Sequence, residues 1–292
     1  MMAQIFINIL IATGVTTLIA LGFALIYQTT HFFDFAYGII LTTGAYGTLF
    51  FKEWLHLPLP IAGILAALFS GLLGYGIERF IYRSIRQRGA TPLTLLIASL
   101  GVYTVLQNVI SSIFGDTTRT LRTGSIESGI AFLNARITPV QLAIGIVSLT
   151  LVAIVTLFLQ KTKIGLAVRA VANNPVLADV CGIDSDRVIA ATSTVGSILA
   201  GVAGILIGLD IDITPTMGMN AMITGVVAAI IGGVGSIPGI ILGALLLSLA
   251  QNIGAAIIGF QWQDTISFII LLGFLFLRPQ GFLGRPLKQS SI

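Results

Sequence analysis

Few side chains in this 292-residue sequence can do chemistry, and they are thinly scattered: 11 Asp and Glu, 15 Lys and Arg, 2 His and 1 Cys. Cys181, as the single cysteine, rules out an internal disulfide, a CxxC pair and a cysteine-based metal cluster, and it reads as a small buried apolar residue. His31 and His56 flank an apolar span and so fall at opposite ends of it, where they cannot share a metal ion. Ser236 lies in Gly232-Gly233-Val234-Gly235-Ser236-Ile237-Pro238-Gly239. A serine nucleophile needs a base within hydrogen-bond reach. His56 is at the other end and His31 has no supporting motif, so an intramembrane serine hydrolase is disfavoured. The same run lacks the Gly-Lys-Ser/Thr of a phosphate loop. Pro238 suits the first turn of a helix. The run therefore predicts a tight turn between two helices and no ATP binding by this chain.

Four further groups deserve a chemical reading. Asp34, at the inner end of a span, is either an ionisable functional group or a helix cap. Asp210 and Asp212 sit at the outer mouth of another span, placed to meet a substrate ammonium or basic residues of a binding protein, or to stand as solvated loop charges. Gln107 and Asn108 lie midway in a span and either face a polar path or bond a neighbouring helix, the second being favoured. Arg169 lies in a polar stretch, where it can bond a partner or cap a short helix.

The elements that must position these residues are membrane spans. The chain is 56% hydrophobic and 9% charged, with a mean hydropathy of +1.02. A water-soluble domain carries roughly a quarter charged residues. A spanning helix needs about 20 consecutive apolar residues. Apolar runs fall near 4–27, 32–51, 58–82, 92–114, 138–160, 188–209, 219–234, 239–259 and 264–278. The expectation is an all-α integral membrane protein with one domain over 1–292, about nine helices (eight to ten), and a short seventh span suited to a re-entrant half-span. The apolar start, without a basic region before Lys52, reads as a retained first span rather than a cleaved signal.

The basic residues orient the bundle. Arg79, Arg83, Arg86, Arg88, Lys161, Lys163, Arg169, Arg187, Arg278, Arg285 and Lys288 fall on one side, eleven against Lys52, Arg119, Arg122 and Arg136 on the other. The positive-inside rule then puts the C-terminus in the cytoplasm and the N-terminus outside. Glu53, Asp116, Glu127, Asp210, Asp212 and Asp264 gather at the outer ends. The net charge of +4 is thus an orientation signal rather than a nucleic-acid one.

Two local patterns stand out. Gly196, Ala200, Gly204 and Gly208 recur every fourth residue, which keeps one helix face narrow for a translocation path, a subunit seam or packing within the chain. The segment 161–187 is the longest polar stretch on the basic side. Ile164, Ala167, Val168 and Val171 recur at helical spacing, Asn174-Pro175 stops one helix and starts another, Gly182 ends it, and Asp184 caps the next span. Two short amphipathic helices on the cytoplasmic face would make a platform for a partner.

In this segment Gly165, Arg169, Ala170, Ala178, Gly182 and Ile183 form a pattern that resembles the coupling loop of permease subunits from ABC importers of branched-chain amino acids. Phe33-Asp34-Phe35-Ala36-Tyr37-Gly38 resembles that family's Asn-Phe-Ala-His-Gly signature, with Asp34 in the place of Asn and Tyr37 in the place of His. Ile77-Glu78-Arg79, Tyr82-Arg83, Ala200-Gly201-Val202-Ala203-Gly204, the Gly232–Gly239 run, and Arg278-Pro279-Gln280-Gly281-Phe282-Leu283-Gly284-Arg285-Pro286 follow in order. The resemblance implies a multi-pass subunit of a bacterial inner membrane that is not itself an enzyme and binds no cofactor. It implies a homologous second permease subunit, two ATP-binding subunits that hydrolyse ATP, and an extracytoplasmic substrate-binding protein. Gly165, Arg169, Ala170, Ala178 and Gly182 would couple to the ATP-binding subunits. Asp34, Phe35, Tyr37, Gly38, Gly204 and Gly208 are candidates for the path, and Asp210 and Asp212 for the outer mouth. The cargo would be a branched-chain or other neutral amino acid; urea or a short amide is the alternative, and an ion-driven secondary transporter a distant one, since the span centres lack the charged relays such proteins carry.

Overall fold

The structure, a computed structural model, describes residues 2–122, 130–132, 135–278 and 280–284. Glu127, Pro279, Arg285, Pro286 and Lys288 lie outside the described residues.

Every apolar run folds as a helix. They are α1 (Met2–Thr30), α2 (Ala36–Glu53), α3 (Leu59–Gly76) continuing through a π-helical stretch (Ile77–Tyr82) into α4 (Arg83–Gln87), then α5 (Pro92–Phe114) and α6 (Pro139–Lys161). The segment 161–187 supplies two short helices, α7 (Lys163–Asn173) and α8 (Pro175–Val180). The chain then forms α9 (Ser185–Asp210), α10 (Met217–Gly232), α11 (Ile237–Ile257), a short 3-10 turn (Phe260–Trp262) and α12 (Gln263–Leu277). Among the described residues, seven helical segments are long and apolar enough to cross a membrane; α2, of 18 residues, and α10, of 16, are not among them.

Local chemistry sets the helix ends. Thr91, Thr138, Thr162, Asn174, Asp184 and Ser236 each accept a first-turn backbone N–H through the side chain, and Pro92, Pro139 and Pro175 follow at first-turn positions where no N–H is needed. Thr138 and Gln141 form a reciprocal capping box. His31 and His56, both with positive φ, break the chain on either side of α2. The third run does not stop at 82 as expected. It continues to Gln87, because the π stretch keeps the helix unbroken while re-aiming Glu78 and Tyr82 inward, and both are buried. The all-helical expectation needs one amendment: Ile130–Phe132 pairs antiparallel with Ala135–Ile137 in the connection between α5 and α6.

The packed centre is α1, α2 and α9, with α3, α10 and α11 around it. Leu18, Leu21, Ile39, Ile40, Leu41, Ala200, Ala203, Ala228 and Leu247 are buried there. Lipid tails give helices no hydrophobic reason to associate, so close backbone contact must hold them together. Gly44 on α2 meets the backbone of Gly201 on α9, and Gly204 meets the Leu41 carbonyl; a Cβ at either glycine would collide with backbone. At the rim, α5, α6 and α12 expose most of their side chains, Ile97, Leu149 and Phe276 among them.

Candidate functional site

At the basic end of the bundle, α7 and α8 form a welded platform. Thr162 Oγ1 accepts from Gly165 N at 3.2 Å, and Gly165 sits so close to the Leu159 carbonyl that no side chain fits. Arg169 Nη1 donates to that same carbonyl at 3.3 Å, closing the open C-terminal turn of α6. The Ala170 carbonyl accepts from Asn174 N at 3.1 Å, and Asn174 Oδ1 accepts from Leu177 N at 3.0 Å. Ala178 is buried beside Val171 and Ile189, and its carbonyl accepts from Ile183 N at 2.9 Å. Gly182 turns the chain with φ +83. Asp179 Oδ1 then accepts from Ser185 N at 2.9 Å, and Ser185 Oγ donates to the Pro175 carbonyl at 2.9 Å, which fixes the platform to the first turn of α9. The five residues expected to couple, Gly165, Arg169, Ala170, Ala178 and Gly182, are therefore joints of one unit. Its outer face leaves Ile164, Leu166, Val176, Leu177 and Val180 exposed. Cys181 is exposed there too, contrary to the buried residue expected, because it follows the last turn of α8 on the outward side. A cavity of about 270 Å³ lies behind the platform, lined by Gln28, Gln160, Arg169 and the Gly235–Pro238 turn.

A second cluster lies at the same end. Asp34, in the connection from α1 to α2, is buried, and its Oδ1 accepts from Ala36 N at 2.9 Å and from Tyr82 OH at 2.6 Å. It thus satisfies a first-turn donor of α2 and ties that helix to the π stretch. Burial pushes its carboxyl up to about 6, against the pull of the Tyr82 and Ala36 donors. Phe35 N donates to Ser99 Oγ on α5 at 3.0 Å. Next to this, Arg86 bonds Glu78 at 2.8 Å and Asp186 at 3.0 Å, while Arg83 bonds Asp186 at 2.9 Å. This network clamps α4 to the start of α9. Its only sequence signal is an acid, Glu78, inside an apolar run one turn before a basic cluster.

The remaining candidates fall elsewhere. Tyr37 is fully buried, and its hydroxyl donates to the Ile19 carbonyl at 2.9 Å within α1. Gly38 touches the backbone of Gly218, Gly204 that of Leu41, and Gly208 the side chains of Ile213, Leu121 and Ala45. The four-residue stripe of α9 is thus filled from within the chain, Gly196 by α1, Gly204 by α2 and Gly208 mainly by Ile213 and Leu121. Asp34, Phe35, Tyr37 and Gly38 do cluster, but as packed joints around the start of α2.

The end opposite the platform is strapped. Arg122 Nε donates to the Leu209 carbonyl at 2.6 Å, and Nη2 lies 3.9 Å from Asp210 Oδ1. Arg119 and Ile213 exchange two backbone hydrogen bonds, of 3.0 and 2.7 Å. Lys52 Nζ donates to the Leu121 carbonyl at 2.6 Å. Asp210 is engaged in this strap and Asp212 is exposed. Asn108 does not bond a neighbouring helix as expected: it is exposed on α5, and Nδ2 donates to the Thr104 carbonyl one turn back at 2.7 Å. Among the described residues no group of three or more His, Cys, Asp or Glu is placed to hold a metal ion.

Comparison with known proteins gives this arrangement a lineage. The family model described as "Branched-chain amino acid transport system / permease component" matches residues 5–275. The high-affinity branched-chain amino acid transport system permease protein BraD of Pseudomonas aeruginosa is 33% identical over 296 residues, covering 97% of this chain and 96% of the relative. LivH of Escherichia coli, named likewise, is 33% identical over 287 residues, covering 92% and 91%. A probable LivH of Methanocaldococcus jannaschii is 29% identical, covering 96% and 92%. Among solved structures, PsaBC from Streptococcus pneumoniae in complex with Fab matches with TM-score 0.52 over 94% of this chain and 91% of that one, at 13% identity, a likeness of fold. The chain belongs to the permease-component family of branched-chain amino acid transport systems.

Proposed function

We propose that this chain is the membrane-spanning permease of an ATP-driven importer that moves branched-chain amino acids inward. The observation that carries this reading is the end-to-end match: relatives named as branched-chain amino acid permeases align over more than nine-tenths of both chains. In this reading the nine apolar helices all enter the bilayer, with α10 as a partial span, and the end bearing α7 and α8 faces the cytoplasm.

The platform supports a docking role for that end. Its exposed apolar side chains lie on helices between the spans α6 and α9 and are left uncovered by this chain. Two ATP-binding subunits would seat there, one on this chain and one on a homologous second permease. An extracytoplasmic binding protein would deliver cargo to the opposite end, near Asp212. The hydrogen bonds from α8 to the first turn of α9 would carry a push on the platform into the bundle centre. Asp34, Phe35, Tyr37, Gly38, Gly204 and Gly208 then act as fixed joints of the moving core. Hydrolysis of ATP belongs to the docked subunits, and no cofactor is required in this chain.

A competition experiment tests the cargo. Labelled leucine uptake by the reconstituted transporter should be displaced by valine and isoleucine. Displacement by urea or acetamide, with valine inert, would refute the branched-chain assignment.

A further inference from the structure

One face of α5 changes character along its length. Leu93, Ile97 and Leu100 are exposed on its inner half, as a lipid-facing helix requires. On the outer half the same face continues as Thr104, Asn108 and Ser112, four residues apart and all exposed. α10 repeats the pattern with the residue before it: Thr216, just ahead of the helix, and Asn220 are exposed and Thr224 half-buried, again four apart. The hydroxyls of Thr104, Ser112 and Thr224 donate to their own helices, and Asn108 Nδ2 does the same. Asn220 has no side-chain hydrogen bond among the described residues.

Both stripes lie alongside the stretch of α2 from its start to Tyr46. Ser99 of α5 accepts from Phe35 at the start of α2, and the Phe114 ring lies 5.1 Å from that of Tyr46. Thr104 to Ser112 therefore runs alongside the stretch between those two contacts. Gly218 N of α10 donates to Thr42 Oγ1 at 3.2 Å, which puts Asn220 beside the same stretch. Two carboxamides facing hydrocarbon at this depth would be costly, and polar groups in spans turn toward protein or a water-filled space. Neither α5 nor α10 carries a charged residue. Exposed Val105 and Val109 flank the amide on α5.

We infer that Thr104, Asn108 and Ser112 of α5, with Thr216 at the start of α10 and Asn220 and Thr224 within it, line the translocation path, and that Asn108 and Asn220 bind a passing zwitterionic amino acid. The surface matches that cargo: uncharged donors and acceptors for the ammonium and carboxylate, and valine side chains for an apolar side chain. A cation or anion would find no counter-charge. The inference rests on the permease reading, and it assigns cargo contact to residues outside the Phe33–Gly38 and 161–187 segments.

Cysteine labelling tests it on the assembled transporter. In a Cys181→Ser background, Asn108→Cys and Asn220→Cys should react with a hydrophilic, membrane-impermeant maleimide, more slowly when leucine-loaded binding protein is present. Leu149→Cys, on the exposed face of α6, should not react. Asn108→Leu and Asn220→Leu should lower ATP-driven leucine uptake about tenfold, the loss of one hydrogen bond to a charged group. Asn→Ser at either position should restore most of it. Silent cysteines together with full uptake in the leucine variants would overturn the inference. Failure of the parent transporter to use ATP would instead sink the permease reading, while the labelling pattern would still report on the path.

Discussion

At the residue scale the central contact is Asp34 with Tyr82. Tyr82→Phe leaves a buried carboxylate oxygen with one donor fewer, and loss of such a bond costs about 1–3 kcal/mol. The expected readout is a lower Tm in detergent. The same contact predicts a pH slope. Asp34 has its value raised from 3.8 to about 6, so the folded state holds the proton more tightly than the unfolded chain. That contribution to stability is complete below 3.8 and is lost as pH rises through about 6. Melting temperature should therefore fall between about pH 4 and 6, and Asp34→Asn should flatten that part of the curve. An identical slope in the variant would contradict this account of Asp34. Arg169 makes a second prediction: Arg169→Glu removes the donor to the Leu159 carbonyl and should leave ATP hydrolysis running while uptake falls. Unchanged uptake would remove Arg169 from coupling. Of these roles, the sequence showed that Asp34 stood at a helix corner. It did not show Tyr82, 48 positions away, because nothing local announces a bond made across the bundle.

At the element scale, boundaries were legible because their causes are local. Asn174-Pro175, Gly182 and Asp184 read as stops and starts and act as such. The π stretch was not legible, since an extra residue in a turn depends on what the helix packs against. Nor was the filling of the α9 glycine stripe: spacing shows that a backbone can approach, not which one does. Two predictions belong here. Leu177→Asp with Val180→Asp alters only the exposed face of α8, so the chain should insert normally and lose co-purifying ATP-binding subunits. Retention of those subunits would move docking elsewhere. Gly204→Val forces a side chain against the Leu41 carbonyl and should cost about 1–3 kcal/mol by overpacking. Gly63→Ala, with open space around it, should be silent in the same melting assay.

At the scale of the whole molecule, composition alone fixed a multi-pass membrane protein, and the family places it in the inner membrane as a transport subunit. The two ends of the bundle hold together as the charges arrange them: Arg83, Arg86 and Asp186 meet at one end, Lys52, Arg122 and Asp210 at the other. If the basic end is cytoplasmic, native Cys181 should label only from inside and Asp212→Cys only from outside. What the sequence left open was the path, because an exposed amide on a span is recognised only once its neighbours are known. The most direct test of the account is uptake of labelled leucine into proteoliposomes holding this chain with its partner subunits and binding protein. ATP inside the assay compartment facing α7 and α8 should drive accumulation with no ion gradient present. Accumulation driven by a proton or sodium gradient, indifferent to ATP, would contradict it.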